Sequence, residues 1–399
     1  MTPEMPPVLA CPRFKSDPFP KFDEMREATP VFCMKVGLRR SAWFVTRHGD
    51  ALRVLSDPRF VKSRSRGSTG WLPGPLLALS RNMLDVDDPA HRRLRTLVQK
   101  AFTPRMVEQL RPRVEAITED LLGTIESNGG GDLIRDFAAP LPVTVISELL
   151  GVPQRWRSSF RRWSERVVVA DASPWRMMAA MPSIVGLMLM LKLLIRRKRR
   201  TPGEDLISML IAAQDEEDRL TGDEVLAMAF LLLVAGHETT VNLIGNGILA
   251  LINEPAQMDE LRGNMALLPG AVEEMLRFAG PLQITTERYA TEDVRFGDSV
   301  IPAGALVYVL LASANRDTAA FQRPADFDVA RDPNRHLAFG HGVHYCLGAP
   351  LARLEAQIAI RRLLERFSSI QLADSANALR WRPGLTIRGL ERLPVVVSP

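Results

Sequence analysis

Cysteine is scarce in this chain. Cys11, Cys33 and Cys346 are the only three in 399 residues, odd in number and unclustered. That argues against a disulfide framework and suits a reducing cytoplasm. There is no CxxC or HxxxH pair, so the ligand spacing of a structural zinc site is missing. No G-x-G-x-x-G follows a strand-like run, so the chain has no dinucleotide-binding unit of its own. The N-terminal "MTPEMPPVLACPRF" lacks a basic segment followed by an apolar stretch and reads as neither signal peptide nor anchor. Basic residues do not alternate with aromatics, which argues against nucleic acid; the formal charge of +5 still allows an acidic protein partner. Internal repeats and low-complexity segments are also missing.

What is present is an ordinary globular composition, 46% hydrophobic and 24% charged. Strand-like runs at 30–36 and 41–46 precede a largely helical region. In "PRMVEQLRPRVEAITEDLLGTIES" (104–127), Val107, Leu110, Val114, Ile117, Leu121 and Ile125 recur at helical spacing, predicting one buried helix face. Helical pieces follow at 139–151 and 154–170, and "NGGGD" (128–132) reads as a loop. Thr221 and Glu224 form a capping box that opens an apolar helix running to Pro255, about 30 residues and roughly 45–50 Å long. A short helix at 269–278, strand-like runs at 294–310, a turn-rich stretch and a last helix at 348–367 complete the pattern. The expectation is a mainly α protein with a minor β portion, forming a single domain over 1–399.

One run needs separate attention. "MMAAMPSIVGLMLMLKLLI" (177–195) leads into "RRKRR" and approaches the length of a membrane span. Pro182, Ser183, Gly186 and Lys192 argue against spanning. The preferred reading is a helix covering an apolar pocket; membrane contact is expected to be peripheral at most.

The chemistry concentrates in "LAFGHGVHYCLGA" (337–349), where a lone cysteine stands among glycines just before a helix. Gly340, Gly342 and Gly348 permit positive φ and close approach of backbone to a flat ligand. The helix start would place its positive end near the Cys346 sulfur. His341, His344 and Cys346 do not make a zinc set. Iron held by one thiolate needs a single protein ligand, because a porphyrin supplies the other four donors.

"FGHGVHYCLG" (339–348) resembles the haem-binding loop of the cytochrome P450 family. Three further stretches resemble that family in content and order: "DDPAHRRLRTLVQKAFTPR" (87–105), "AGHETT" (235–240) and "EMLR" (274–277). The similarity runs from about residue 15 to "RGLERLPV" (388–395). It implies the cytochrome P450 fold, with a long central helix over haem b, and Cys346 as the axial thiolate and metal ligand. Phe339, Gly340 and Gly348 would shape the loop; His91, Arg95, Arg288 and His344 would bind the haem propionates. Glu238 and Thr239 would be the acid–alcohol pair that delivers protons to the oxygen being activated. Gly236 and Thr239 would let the central helix open locally, while Ala235 and Gly236 leave room over a flat cofactor. Glu274 and Arg277 would form a buried structural pair. The family's usual third basic residue is replaced here by Asp326, leaving Arg331 or His336 as substitutes.

By the same resemblance, the substrate pocket would include Met83, Leu231, Val234, Ala235, Leu282, Ile284 and Thr285. The loop 71–84, the methionines at 177, 178, 181, 188 and 190, and a turn near 385–387 would complete it. Such a lining suits a lipophilic terpenoid, steroid, fatty acid or macrolide-like compound, to be hydroxylated or epoxidised. Electrons would come from a separate ferredoxin or flavodoxin with its NAD(P)H-dependent reductase. Lys100, Arg105, Arg353, Arg361 and Arg362 are candidates for the basic docking patch. The alternatives are a peroxide-driven enzyme and a haem-binding sensor or carrier.

Overall fold

The computed structural model describes residues 9–36, 40–63, 79, 81–168, 174–212 and 220–399. Helices α1 (Pro12–Ser16), α2 (Phe19–Ala28) and α3 (His48–Ser56) flank strands β1 (Val31–Lys35), β2 (Ser41–Val45) and β3 (Phe60–Val61). Then come α4 (Ala90–Ala101), α5 (Pro104–Gln109), α6 (Arg111–Ser127), β4 (Gly130–Asp132), α7 (Pro140–Leu149), α8 (Gln154–Val168) and α9 (Pro174–Arg200). The centre comprises α10 (Leu206–Ala212), α11 (Gly222–Asn253), α12 (Pro255–Gly263) and α13 (Leu268–Ala279). Strands β5 (Arg288–Ala290), β6 (Val294–Phe296), β7 (Ser299–Ile301) and β8 (Leu306–Val309) follow. Last are α14 (Leu311–Ala314), α15 (Ala349–Arg366), β9 (Ser369–Leu372) and β10 (Pro394–Ser398).

The long helix starts as its sequence predicts. The Thr221 hydroxyl accepts from the Glu224 amide at 3.2 Å, and the Glu224 carboxylate accepts from the Thr221 amide at 2.8 Å. From Val241 to Leu251 every side chain of α11 is buried, because α7, α9, α13 and α15 all pack against it. This helix is the axis of the main apolar cluster, and its capped first turn reaches the edge of the protein.

Two local expectations are corrected. The 104–127 pattern is two helices, not one, broken at Leu110; Pro112 has no amide to continue the ladder and sits instead in the first turn of α6. "NGGGD" is not merely a loop: β4 pairs antiparallel with β10 (Pro394 opposite Asp132), and β10 also pairs with β9. At Gly130 a side chain would collide with the Val395 carbonyl, so glycine is what allows that pairing.

The main sheet has the order β1-β2-β8-β5-β3, with β2 and β8 parallel and the other neighbours antiparallel. Its register sets Arg288 opposite Val307 and Phe60 opposite Ala290, which carries Arg288 and the residues after β3 to one edge.

Candidate active site

The loop before α15 is closed by backbone contacts. The Cys346 amide donates to the Phe339 carbonyl at 2.9 Å, the Tyr345 amide to Gly342 at 3.0 Å, and the Gly340 amide to Leu337 at 2.9 Å. Gly340 and Gly342 both have φ of +72°. A Cβ at Gly342 would also lie 2.8 Å from the Leu55 carbonyl oxygen, so two constraints select glycine there. The amides of Gly348 and Ala349, at the start of α15, favour the charged form of the Cys346 sulfur, and the Ala349 amide donates to the Cys346 carbonyl at 3.4 Å. Burial pushes its thiol up; those amides and the guanidiniums of Arg95 and Arg353 pull the other way without cancelling it. The positive end of α15 by itself favours a thiolate. In the haem-free chain burial outweighs it.

Beside this loop a set of basic side chains converges. His91 and His344 have ring centroids 4.2 Å apart. Burial first, then Lys62, His91, Arg288 and Arg95, push His344 down to about 2. Arg95 donates to the Tyr345 carbonyl at 2.8 Å, tying α4 to the cysteine loop. Arg288 donates to the Phe60 carbonyl at 3.2 Å and is lowered to about 10 by burial. His91 Nε2 and Arg288 Nε are buried with no hydrogen-bond partner among the described residues. All four expected propionate ligands are thus brought together, with donors to spare. Lys62 is the member that sequence reasoning missed. Its Nζ donates to Thr286 Oγ1, its backbone amide donates to Asp87 at 2.7 Å, and burial lowers it to about 7. Burial disfavours the charged forms of Lys62 and Arg288, and an anionic group held here would relieve that cost.

On α11 the Thr239 hydroxyl donates to the Ala235 carbonyl at 3.1 Å, while the helix stays continuous through this turn. Ala235 is exposed, and Leu231, Val234 and Thr239 are half-buried, just ahead of the stretch from Thr240 to Leu251 that is buried throughout. Gly236 does not share that open face: a Cβ there would lie 3.0 Å from Ile146 Cδ1, so its small size serves the contact with α7. Glu238 is buried and ion-paired with Arg382 at 3.0 Å, with His237 Nε2 3.7 Å away. His237 in turn contacts Ser164 Oγ at 3.0 Å, and burial lowers its pKa. Arg382 lies 144 residues from its partner, and no local signal marked it.

Known proteins decide the family. The chain is 47% identical to cytochrome P450 107B1 of Saccharopolyspora erythraea, over 99% of this chain and 98% of that relative. It is also 47% identical to cytochrome P450 monooxygenase PikC of Streptomyces venezuelae, over 98% of this chain and 94% of that protein. The chain belongs to the cytochrome P450 family. The family model described as Cytochrome P450 matches residues 172–380. The solved structure of cytochrome P450 PksS, from the bacillaene polyketide synthase of Bacillus subtilis 168, superposes with a TM-score of 0.91 at 38% identity. That match covers 98% of this chain and 99% of PksS. The protein is a cytochrome P450 monooxygenase. The family implies a haem held by a cysteine thiolate, and the residues fit one: a sulfur at the start of a helix, a small exposed residue on the central helix, and basic side chains with unpartnered buried donors for two carboxylates.

In this cytochrome P450 the Glu274–Arg277 pair is buried and bidentate at 2.7 Å. The third basic residue is Arg331, whose Nε donates to both Glu274 oxygens at 3.1 and 3.0 Å; His336 instead meets Glu273 at 3.0 Å. Asp326 contributes only its backbone carbonyl, accepting from Arg277 at 2.9 Å.

The expected pocket assembles in part. Leu231, Val234 and Ala235 share the open side of α11, and the Met83 amide points at the Met228 sulfur at 3.3 Å. Leu282 bridges to Ile387. Ile284, however, is wholly buried in the cluster containing Phe22 and Phe44. Thr285 is also buried, its hydroxyl accepting from the Val309 amide at 3.1 Å. Met188 and Met190 are buried, whereas Met177 and Met178 are exposed on the outer side of α9. Most of the loop 71–84 lies outside the described residues. The basic patch is weaker than expected: Arg353 is locked to Glu273 by two 2.7 Å bonds, and Arg361 and Arg362 pair with Glu365, Glu115 and Glu119. Arg105 is exposed.

Proposed function

We propose that Cys346 would hold the iron of a haem b through its sulfur, that Lys62, His91, Arg95, Arg288 and His344 would hold its propionates, and that the substrate is a lipophilic, macrolide-like or other polyketide-derived compound. The convergence of Lys62, Arg95 and Arg288 with the imidazoles of His91 and His344 beside the cysteine loop carries the reading, since it leaves two buried donors, His91 Nε2 and Arg288 Nε, without a partner among the described residues. Support for the substrate class comes from the apolar open side of α11 and from the polyketide synthase in the name of the PksS relative.

The bound haem supplies reductive activation of O2 and transfer of one oxygen atom to the substrate. The chain's residues do the rest. The amides of Gly348 and Ala349 hold the sulfur and restrain its electron donation. Phe339, with Arg353 4.6 Å over its ring, shields the loop from water. Thr239 presents a hydroxyl on the open face, within one helical turn of Ala235. Glu238, held by Arg382, is the acid that would pass protons toward Thr239, which requires its ion pair to loosen. Two electrons come from a separate ferredoxin or flavodoxin.

The test is coupling. With a surrogate ferredoxin system, Thr239→Ala should divert reducing equivalents from product to peroxide. If product per NADPH is unchanged, the acid–alcohol assignment is wrong and a peroxide-driven reaction is favoured.

A further inference from the structure

We propose that the outer face of α9, together with the arginines of α8 beside it, is a docking surface for an anionic membrane. Eleven large apolar side chains are left exposed among the described residues, and six of them (Trp175, Met177, Met178, Val185, Leu189 and Leu193) belong to α9. The opposite face of the same helix, Ile184, Leu187, Leu191 and Leu194, is buried. Met178, Pro182, Val185, Leu189 and Leu193 recur at three- and four-residue steps, so they form one continuous exposed stripe about 22 Å long.

Charge is segregated onto the same unit. Residues 154–200 contain twelve Lys and Arg against two Asp and Glu, a net of +10 in a chain whose total is +5. The rest of the protein therefore carries a net −5. The side chains of Arg162, Arg166, Lys192, Arg196, Arg197 and Arg200 are exposed and make no hydrogen bond or ion pair among the described residues. Arg361 and Arg362, by contrast, are satisfied by nearby carboxylates. The two helices are held side by side, with Gly186 packed on Trp163, and Arg155 and Arg197 lining one surface depression where the end of α9 meets the start of α8.

These observations select the occupant. An apolar stripe with lysine and arginine around it and a tryptophan at one end is the composition of a helix lying in a membrane interface. Half of the most apolar stretch of α9 is buried in the protein, so the helix can lie on a bilayer but not cross it. A second copy of the chain is disfavoured, because pairing this face with itself would oppose two strongly positive surfaces. An acidic protein would satisfy the arginines but would need an apolar line of its own to cover the stripe. Since α9 also packs against α11, docking would bring dissolved lipophilic compounds close to the catalytic helix. The proposal goes beyond the functional reading and does not depend on it.

The experiment is flotation of the haem-loaded protein with vesicles of pure phosphatidylcholine and of equal parts phosphatidylcholine and phosphatidylglycerol. Two variants are compared: Leu189→Gln/Leu193→Gln, and Arg196→Gln/Arg197→Gln/Arg200→Gln. Unchanged absorption spectra and thermal midpoints show that both are folded. The wild type should float with the anionic vesicles, less so as salt is raised, and each variant should reduce binding by about tenfold or more. The proposal is overturned if the wild type floats with neither vesicle, or if the stripe variant floats as well as the wild type. It is equally overturned if the two substitution sets dissolve a dimer, or release an acidic carrier protein, while no vesicle is bound.

Discussion

Arg331 reaches back 57 residues to place its Nε 3.1 and 3.0 Å from the two oxygens of Glu274, a carboxylate already held by Arg277. Asn334 adds a donor at 3.0 Å and the Asp328 amide another at 3.0 Å. Arg277 meanwhile donates to the carbonyls of Asn315, Pro324 and Asp326. One buried carboxylate thereby pins α13 to the turn-rich approach to the cysteine loop.

Breaking this cluster should be expensive. Arg277→Met should cost ~3–5 kcal/mol, because the wholly buried Glu274 loses its main cation and three carbonyls lose a donor. Arg277→Lys should recover little of it, since an ammonium cannot reproduce the planar fork. Urea unfolding measures both. A cost under ~1 kcal/mol for Arg277→Met would mean that the pair is not the pin described here.

The Glu238–Arg382 pair makes a prediction by difference. Arg382→Met leaves Glu238 buried without its partner, and stability should fall by ~3 kcal/mol. Glu238→Gln in the same background should restore much of that loss, because the unpaired charge is removed. A double-mutant cycle in denaturant reads the coupling. Additive costs would show that the two side chains do not depend on each other.

Lys62 predicts a pH dependence. Burial holds it at about 7 in the folded chain against an ordinary 10.5. Between those values the unfolded chain binds the extra proton, so stability of the haem-free protein should rise with pH from about 7 to 10.5. Lys62→Met should abolish that rise. Carboxylates beside Lys62 would keep it charged, so loading with haem should flatten the slope. Thermal midpoints across this pH range test all three statements, and an identical slope with and without haem would remove Lys62 from the propionate site.

Features encoded over a few residues could be read from the sequence: the Thr221–Glu224 cap, the long apolar helix, the glycines on either side of Cys346, and His91 with Arg95 one turn apart. The contacts that organise the site are long-range, and these could not. Lys62 directly follows β3 and Arg288 lies on β5, and the strand pairing brings Lys62 beside Arg288 and His344. Arg382 reads as an ordinary surface arginine until folding puts Glu238 against it, and the choice between Arg331 and His336 as partner of Glu274 is made only by the fold. Ile284 looked like a pocket residue because apolar side chains read alike whether they face a cavity or a core; here it faces the core. The helix break at Leu110 was hidden by apolar spacing that continues across it.

The central claim is that Cys346 is the thiolate ligand of a haem. The direct measurement is the absorption spectrum of the reduced protein with carbon monoxide, wild type beside Cys346→His. The account predicts a strongly red-shifted Soret band in the wild type that the substitution abolishes. A folded wild type that binds no haem, or whose spectrum is that of histidine-ligated iron, would contradict it.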